Sequence, residues 1–402
     1  MSENFDVIIV GAGPAGSCAA RKMAEAGLNV MVYDRRAELG TPVRCGEGIN
    51  GNAEEVIGNI PHRAICARII GGRIYAPNGR MLEADVTKTG QKGGYVLDRK
   101  VFDKWLAREA ARAGAFIQAN TLVTDLLVEN GRITGVKGKR WGDPFEARAK
   151  AVVCATGAES RLGAQSGLKT HCSMQLVDTC IQYEMSDIEI EGQSDWEKFL
   201  HLWVGNKLAP RGYYWVFPKG DGSANVGIGI VPSNEREKSA LYYHEKFLDS
   251  HPGLRNGRIL EVKGGVVPVG GLMQDMVVDN FVLCGEAAHH VNAIHGGGIK
   301  EAIFSGRIAA DVIIDCMQKN DLSKSALSMF NLRWWEERGR RLRSVEKVRE
   351  VFEKMTDDDF NMLADAITAE DVFDLARGEK LSVLAKALMK QPGLLGLARH
   401  LI

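Results

Sequence analysis

Residues 5–34 have the sequence FDVIIVGAGPAGSCAARKMAEAGLNVMVYD, and this stretch decides the fold. Its apolar start, residues 5–10, is typical of a buried strand. The glycine-rich segment 11–16 follows at once, the pattern predicts a helix over 14–26, and residues 29–33 form a second strand. Strand, GxGxxG turn, helix and strand in this order make the dinucleotide-binding βαβ unit, so we predict an α/β fold of the Rossmann type.

Each glycine of the motif has a physical role. Gly11 permits the tight turn, Gly13 lets a pyrophosphate approach the backbone, and Gly16 lets helix and strand pack closely. The pyrophosphate is expected at the positive end of the helix. Asp34 ends the second strand, where its carboxylate accepts hydrogen bonds from ribose hydroxyls and repels a 2′-phosphate. This residue therefore favours FAD or NAD over NADP.

The whole chain has 402 residues, 51 basic and 51 acidic side chains and 45% apolar residues, enough for two or three domains. Its balanced charge argues against nucleic acid as a partner, because phosphate binding needs a basic surface. Neither a signal-peptide pattern nor an apolar run of membrane-spanning length is present in the sequence. Eight scattered cysteines without a CxxC pair argue against a zinc site or a disulfide framework, so we expect a reducing, cytoplasmic compartment.

Three further segments are predicted to border the cofactor. Strands are expected over 151–157 and 281–288, each ending in a turn of small residues. The glycine run 296–298 leads into a predicted helix over 300–314, whose bare amides suit an anion such as reduced flavin, the alternative being a plain tight turn. Arg99 precedes another amphipathic helix and either reaches phosphate or flavin or merely caps that helix.

Two levels of resemblance follow from these motifs. The βαβ unit, the Asp98–Arg99 pair, the turn at 155–157 and the segment GEAA at 285–288 together resemble the aromatic-hydroxylase-like superfamily of FAD oxidoreductases. Within it, PVRCGEG at 42–48 and YYWVFP at 213–218, followed by GIG at 227–229, resemble the geranylgeranyl reductase family, which saturates isoprenoid double bonds. The motif YxWxFP with its following GxG is filled without a gap, and the resemblance covers residues 1 to about 330.

The resemblance implies a p-hydroxybenzoate-hydroxylase-like architecture: a mixed α/β chain with a Rossmann-type FAD domain, a β-sheet substrate domain and a C-terminal helical region. The expected boundaries are 1–65, 95–165 and 272–322 for the discontinuous FAD-binding domain, 66–94 and 166–271 for the substrate domain, and 323–402 for the helical region. Glu286 and Ala293 depart from the family, which usually has Asp and Pro there, and His289, His290 and His295 cluster nearby.

FAD is the cofactor that the resemblance implies, and no metal site is predicted. Tyr213, Trp215 and Phe217 alternate along a strand, so they project from one face and are expected to floor an apolar slot for an isoprenoid chain, the alternative being ordinary core packing. Cys45 and His295 are the candidate catalytic residues. The residues predicted to bind FAD are Gly11, Gly13, Ala15, Gly16, Asp34, Arg35, Arg44, Cys45, Gly46, Gly48, Arg99, Val123, Gly285, Glu286, Gly297, Gly298 and Ile299.

The expected activity is reduction of carbon–carbon double bonds in geranylgeranyl chains, with archaeal ether lipids as the substrate, hydride from reduced FAD and a proton from Cys45 or a nearby histidine. The alternatives are an FAD monooxygenase that hydroxylates or epoxidises an apolar substrate, and a flavoprotein that only carries electrons. Because the sequence has one dinucleotide-binding unit, an external donor is expected, either NAD(P)H or a ferredoxin-like carrier. Residues 381–402 carry Lys386, Lys390 and Arg399 and no acid, so they lie either on an anionic membrane surface, peripherally on its inner face, or on the protein body.

Overall fold

The computed structural model describes residues 3–89, 92–231 and 238–390. The strands are β1 (Glu3–Val10), β2 (Val30–Tyr33), β3 (Gly48–Asn50), β4 (Ile65–Ile69), β5 (Gly71–Tyr75), β6 (Met81–Asp85), β7 (Gly94–Leu97), β8 (Phe116–Gln118), β9 (Thr121–Glu129), β10 (Arg132–Arg140), β11 (Asp143–Cys154), β12 (Val177–Ser186), β13 (Phe199–Val204), β14 (Tyr213–Gly220), β15 (Ser223–Ile230), β16 (Arg258–Pro268), β17 (Val277–Val278) and β18 (Phe281–Leu283). The α-helices are α1 (Pro14–Glu25), α2 (Glu54–Ile57), α3 (Arg99–Arg112), α4 (Arg161–Gln165), α5 (Ala240–Asp249), α6 (Pro252–Arg255), α7 (Ile299–Gln318), α8 (Lys324–Leu327), α9 (Met329–Trp334), α10 (Arg340–Phe352), α11 (Asp357–Ala366), α12 (Ala369–Ala376) and α13 (Leu381–Lys390).

An eight-stranded sheet contains the predicted βαβ unit. Strand β1 lies between β11 and β2 and pairs with both in parallel, while β8 and β18 extend the parallel part on either side. Residues 7–10 are buried, as expected for a parallel strand covered on both faces. Helix α1 packs against α3 and α7. The predicted mixed α/β fold with this unit at its centre is confirmed.

A seven-stranded sheet has the order β16-β12-β15-β14-β13-β5-β6, and all its pairings are antiparallel except that of β13 with β5. One of its faces forms a core with α5, in which Tyr214 and Val226 pack near Phe247 and Leu248. The opposite face carries the side chains that alternate with these, including Trp215. This second face belongs to the candidate site described below.

The three-stranded sheet β3-β7-β4 follows the loop that contains Cys45. Residues 324–390 are almost entirely helical, and α10 to α13 share an apolar core in which Leu384 and Leu388 of α13 are fully buried. Residues 391–402, part of the stretch predicted to lie on a membrane or on the protein body, are outside the described residues. Within the described ranges, no helix is both long and apolar enough to cross a bilayer.

Two predicted strands end earlier than expected, and the one predicted over 151–157 stops at Cys154. The strand predicted over 281–288 stops at Leu283, and residues 285–288 form a 3₁₀ turn instead. Gly285 has a φ of +68°, which no regular strand accommodates. The turn of small residues expected at the end of this strand is therefore the 3₁₀ turn 285–288, and the residue types alone did not show where the strand stops and the turn begins.

Candidate active site

The GxGxxG turn packs β1 against α1 so closely that two of its glycines have no room for a side chain. Gly11 has a φ of +107°, and a Cβ there would lie 2.3 Å from the Ala155 carbonyl oxygen. A Cβ on Gly16 would lie 1.8 Å from the Gly11 carbonyl oxygen. Gly13, in contrast, has no such neighbour within 4 Å, so the N-terminus of α1 is open for a ligand.

Asp34 is buried at the end of β2 and contacts the same turn. Its Oδ2 accepts a hydrogen bond from the Ala12 amide at 2.9 Å, and its Oδ1 accepts one from the Arg36 amide at 2.8 Å. Each carboxylate oxygen keeps further acceptor capacity. The group is therefore fixed where the βαβ motif requires a ribose acceptor.

A cavity of about 460 Å³ lies beside the end of β2. Arg35 donates a hydrogen bond to Glu159 at 2.6 Å, and this pairing lowers the pKa of the Glu159 carboxyl. Arg44 lies 3.6 Å from the same carboxylate. The cavity is lined by Arg35, Arg36, Pro42, Arg44, Leu122 and Glu159. The predicted Val123 is the residue after Leu122 in β9 and does not itself line the cavity.

The turn after β18 meets the first helix and the turn after β11. A Cβ on Gly285 would lie 2.9 Å from the Cβ of Ala15, so this turn rests directly on α1. A Cβ on Gly157 would lie 3.7 Å from Oε2 of Glu286. Burial raises the pKa of Glu286 to about 6, against the opposing effect of Arg99. Three chain segments that are far apart in sequence thus converge at the start of α1.

The glycine run 296–298 ends at the N-terminus of α7, which has no side-chain cap. The Gly297 amide donates a hydrogen bond to Nδ1 of His295 at 3.1 Å, so the neutral ring carries its proton on Nε2. The surrounding protein displaces bulk water and lowers the pKa of His295, although the residue itself is exposed. The Tyr213 hydroxyl donates to the His295 carbonyl oxygen at 2.8 Å.

Cys45 lies in the loop before β3, and its Sγ accepts a hydrogen bond from the Glu47 amide at 3.2 Å. Burial raises the pKa of Cys45 even though the nearby Arg99 charge opposes this effect, so the thiol is protonated at neutral pH. Arg99 does not cap its helix, because Asp98 accepts from the first amides of α3. Its guanidinium instead donates to both carboxylate oxygens of Asp103, at 2.8 and 2.9 Å.

Tyr213, Trp215 and Phe217 project from one face of β14, as their alternation predicts. The ring centroids of Tyr213 and Trp215 are 5.6 Å apart, and those of Trp215 and Phe217 are 6.2 Å apart. The indole crosses the neighbouring strand β15, where a Cβ on Gly227 would lie 2.5 Å from it. The GxG part of the motif therefore provides the space that Trp215 occupies.

The Cys45 loop lies on this aromatic face. The Trp215 indole donates to Oε1 of Gln182 at 2.9 Å, and Nε2 of Gln182 donates to the Cys45 carbonyl oxygen at 3.1 Å. A Cβ on Gly46 would lie 3.0 Å from the Phe217 ring. The structure thus brings the candidate proton donor and the candidate substrate floor together.

The other two histidines of the predicted cluster have different surroundings from His295. His290 is fully buried, stacks on Trp334 at 3.8 Å and shares a hydrogen bond with the Ser305 hydroxyl. Burial lowers the pKa of His290 well below its usual value. His289 contacts the Gly271 carbonyl oxygen through Nδ1 at 2.9 Å. In the described part of the chain, no group of three or more His, Cys, Asp or Glu side chains has the geometry to hold a metal ion.

Two charged residues at this site were missed in the sequence. Glu47 belongs to the Cys45 loop and is buried where this loop meets the seven-stranded sheet. Its place in the CGEG segment was the only feature of the sequence that could have pointed to it. Arg349 of α10 donates to Asp178 at 2.8 Å and to the Ala293 carbonyl oxygen at 2.6 Å. Burial raises the pKa of Asp178, and the Arg349 charge opposes that rise. Nothing in the arginine-rich run around residue 349 distinguishes this arginine from its neighbours.

The residues of the site fit FAD. Gly13 leaves an open helix N-terminus for a pyrophosphate, and Asp34 offers a fixed acceptor to a ribose. The 460 Å³ cavity beside Asp34 is bordered by the Arg35 and Arg44 cations. At the other end, the uncapped amides of α7 suit the negative charge that a reduced flavin carries.

Comparison with known proteins agrees with this fit. Residues 6–211 match the family described as FAD dependent oxidoreductase, and residues 177–267 match the geranylgeranyl reductase catalytic domain. The chain is 42% identical to a digeranylgeranylglycerophospholipid reductase of Methanocella arvoryzae, over 92% of this chain and 93% of the relative. It is 38% identical to digeranylgeranylglycerophospholipid reductase 2 of Methanopyrus kandleri, over 99% of both chains.

Solved structures show the same fold. A geranylgeranyl bacteriochlorophyll reductase-like protein from Thermoplasma acidophilum superposes with a TM-score of 0.90 at 32% identity, covering 100% of both chains. A flavin-dependent brominase superposes with a TM-score of 0.74 at 17% identity, covering 93% of this chain and 94% of the brominase. At that identity the second likeness concerns the fold alone, so the architecture is shared by flavoproteins with different chemistry.

Proposed function

This chain belongs to the geranylgeranyl reductase family of FAD-dependent oxidoreductases, and we propose that it saturates the geranylgeranyl chains of archaeal ether phospholipids. The observation that carries the proposal is the aromatic face of β14 in contact with the Cys45 loop. The named relatives favour alkene reduction over the monooxygenase alternative. The predicted division into an FAD-binding domain, a substrate domain and a C-terminal helical region is part of this proposal.

FAD binding is assigned to the residues predicted from the sequence. Gly11, Gly13 and Gly16 shape the pyrophosphate turn, Asp34 takes the ribose, and residues 297–299 present amides to the flavin. We propose that Ala15, Arg35, Arg44, Cys45, Gly46, Gly48, Arg99, Val123, Gly285 and Glu286 complete the FAD site. When bound and reduced, FAD supplies the hydride for alkene reduction.

The substrate chain is proposed to lie on Tyr213, Trp215 and Phe217. Their ring centroids follow one another at 5.6 and 6.2 Å, and the indole, which is 7% exposed, is fixed by its hydrogen bond to Gln182. A rigid floor holds a flexible isoprenoid in one position, which lowers the entropic cost of reaching the reactive geometry. An apolar surface also excludes water from the reacting carbons.

The proton is proposed to come from Cys45. Its S–H bond breaks as the proton passes to the alkene carbon opposite the one that receives hydride, and the thiolate left behind lies next to the Arg99 cation. Water then restores the thiol. His295 is the second candidate; to give up its Nε2 proton, the neutral ring would also have to take up a proton from water at Nδ1, which accepts from Gly297 in this structure.

The test is an anaerobic single turnover. The dithionite-reduced holoenzyme is mixed with digeranylgeranylglycerophospholipid, and flavin reoxidation is followed together with the product mass. We expect reoxidation coupled to uptake of a pair of hydrogen atoms per double bond. The fully saturated lipid with the same headgroup is the matched control and should leave the flavin reduced. Product formation that needs oxygen would instead establish a monooxygenase.

The electron donor and membrane contact belong to the same proposal. We propose an external donor, NAD(P)H or a ferredoxin-like carrier, and peripheral contact of the C-terminal segment with the lipid surface that holds the substrate. Since Leu384 and Leu388 are buried in the helical core, a truncation after residue 390 is the proper test. Weaker liposome co-sedimentation of the truncated protein supports the contact, and equal co-sedimentation contradicts it.

A further inference from the structure

Glu47 has an unusual combination of backbone and side-chain surroundings. It is 1% exposed and has a φ of +71°, in the left-handed region that residues other than glycine rarely adopt. A glycine at position 47 would adopt this backbone conformation at less cost. A glutamate kept in this conformation needs contacts that hold it there, and those contacts all involve its carboxylate or its own backbone.

The carboxylate accepts hydrogen bonds from three separate elements. Its Oε1 accepts from the Arg99 amide at 2.9 Å, at the start of α3. Its Oε2 accepts from Nδ2 of Asn225 on β15 at 2.7 Å and from Nζ of Lys219 on β14 at 2.9 Å. Lys263 of β16 lies 3.6 Å from the same oxygen. The Cys45 loop is thereby joined to α3 and to three strands of the seven-stranded sheet.

The charges of this cluster balance. Glu184 accepts from Lys263 at 2.6 Å and from Lys219 at 3.1 Å, while Glu261 lies 3.6 Å from Lys263 and 3.4 Å from Lys100, so three carboxylates, with Glu47, face three ammonium groups. Burial disfavours the charge of Glu184, but both lysines more than offset it and lower the pKa of that carboxyl. Burial likewise disfavours the charge of Lys219, and Glu47 more than offsets it, so the pKa of Lys219 is raised. Removing either partner leaves a buried charge uncompensated.

The Cys45 thiol lies between opposite charges. Burial raises its pKa, the Arg99 charge and the hydrogen bond from the Glu47 amide lower it, and the negative charge of the Glu47 carboxylate raises it. Glu47 also fixes the thiol directly, because its amide donates to Sγ at 3.2 Å. The charged groups on the elements packed around this loop are Arg99, Lys100 and Asp103 on α3, Glu184 on β12, Lys219 on β14, Glu261 and Lys263 on β16, and Glu47 itself.

We propose that Glu47 is a positioning residue for Cys45: its buried carboxylate ties the loop to the substrate sheet and sets a negative charge against the Arg99 guanidinium beside the thiol. This inference rests on the proposed function, in which Cys45 gives a proton to the alkene. A proton donor must hold its proton until the alkene is in place; burial favours the protonated thiol, the Arg99 cation opposes this, and the Glu47 carboxylate acts in the same direction as burial. Glu47 is 1% exposed, so it acts through the cysteine.

The test measures the Cys45 thiol itself and needs no turnover. Purified holoenzyme is alkylated with iodoacetamide over a pH series, and modification of the Cys45 peptide is quantified by mass spectrometry. Glu47→Gln removes the negative charge, so the midpoint should fall by about one pH unit and alkylation at pH 7 should rise about tenfold. Lys219→Met removes a positive charge that partly neutralises the Glu47 carboxylate, so in this variant the midpoint of Cys45 alkylation should rise. Glu55→Gln, an exposed acid in the next helix, is the control and should not move it.

The opposite signs separate the proposal from a structural role. A loop that is merely loosened exposes the thiol in both variants, which changes the rate at every pH without opposite shifts of the midpoint. Equal midpoints, or shifts in the same direction, would overturn the proposal. If Glu47→Gln does not fold, Lys219→Met decides alone: a raised midpoint supports the proposal and an unchanged one refutes it. Failure of the alkene reductase function would leave this titration intact, so the two failures are distinguishable.

Discussion

Replacing Gly227 by alanine tests whether the space over β15 is what positions the substrate floor. A Cβ there would lie 2.5 and 2.6 Å from two atoms of the Trp215 indole and 2.9 Å from the Cβ of Gln182. All three distances are below any normal contact, so the indole must move. When it moves, its hydrogen bond to Gln182 breaks, and Gln182 is the residue that contacts the Cys45 loop.

The size of the effect follows from three contributions. Overpacking of a filled core costs about 1–3 kcal/mol, and the lost hydrogen bond costs about 1 kcal/mol. Against these, replacing a strand glycine by alanine reduces the entropy of the unfolded chain, which is worth about 0.5–1 kcal/mol. We therefore expect a net loss of about 1–3 kcal/mol in the free energy of unfolding, together with a rise of about tenfold in KM for the lipid if about 1.4 kcal/mol of binding is lost.

Urea unfolding and steady-state kinetics measure both quantities. Gly264→Ala on β16 is the matched control, because a Cβ there meets only the Cys180 carbonyl oxygen at an ordinary 3.6 Å, so it should show only the entropic stabilisation of about 0.5–1 kcal/mol. In a double-mutant cycle, Trp215→Phe should relieve the clash and yield a coupling energy of about 1 kcal/mol or more with Gly227→Ala. Purely additive effects, or a Gly227→Ala protein as stable as the control with an unchanged KM, would refute the reasoning.

Three other outcomes are expected at the site. Asp34→Ala removes the carboxylate that accepts from the Ala12 amide, so FAD affinity should fall by about 1–3 kcal/mol, as measured by flavin titration of the apoprotein, and undiminished affinity would contradict the assignment. Cys45→Ser should slow the anaerobic turnover by about 10²–10⁴-fold and alter its solvent isotope effect if the thiol is the proton donor, whereas a wild-type rate would pass that role to His295. Burial raises the folded-state pKa of Glu286 to about 6, so the folded apoprotein binds more protons than the unfolded chain and its stability should fall as the pH rises from about 4.5 to 6. Glu286→Gln should abolish this loss of up to about 2 kcal/mol. Identical pH profiles of urea unfolding for the two proteins would contradict the assignment.

Local sequence patterns predicted the parts of this molecule that depend on neighbours in the chain. The βαβ unit follows from one continuous stretch, since turn, helix and strand each impose their own residue types. The common face of Tyr213, Trp215 and Phe217 follows from the two-residue period of a strand, and this is how the structure places them.

Residues whose roles depend on distant partners could not be predicted in this way. Glu47 meets Asn225, which is 178 positions away, and no local pattern marks a glutamate that will be buried among lysines. His290 and His295 look alike in a cluster of histidines, yet one stacks in the core and the other faces the cleft. Their difference comes from the direction of the turn between β18 and α7, which composition does not encode.

The Arg349 contacts have a consequence for the order in which the molecule is completed. Asp178 is synthesised 171 positions before Arg349, so this buried contact between the sheet and α10 forms only after α10 has been made. The same guanidinium binds the Ala293 carbonyl oxygen, two residues before His295. A chain that stops before α10 therefore lacks both contacts, and with them the support of the segment that leads to His295.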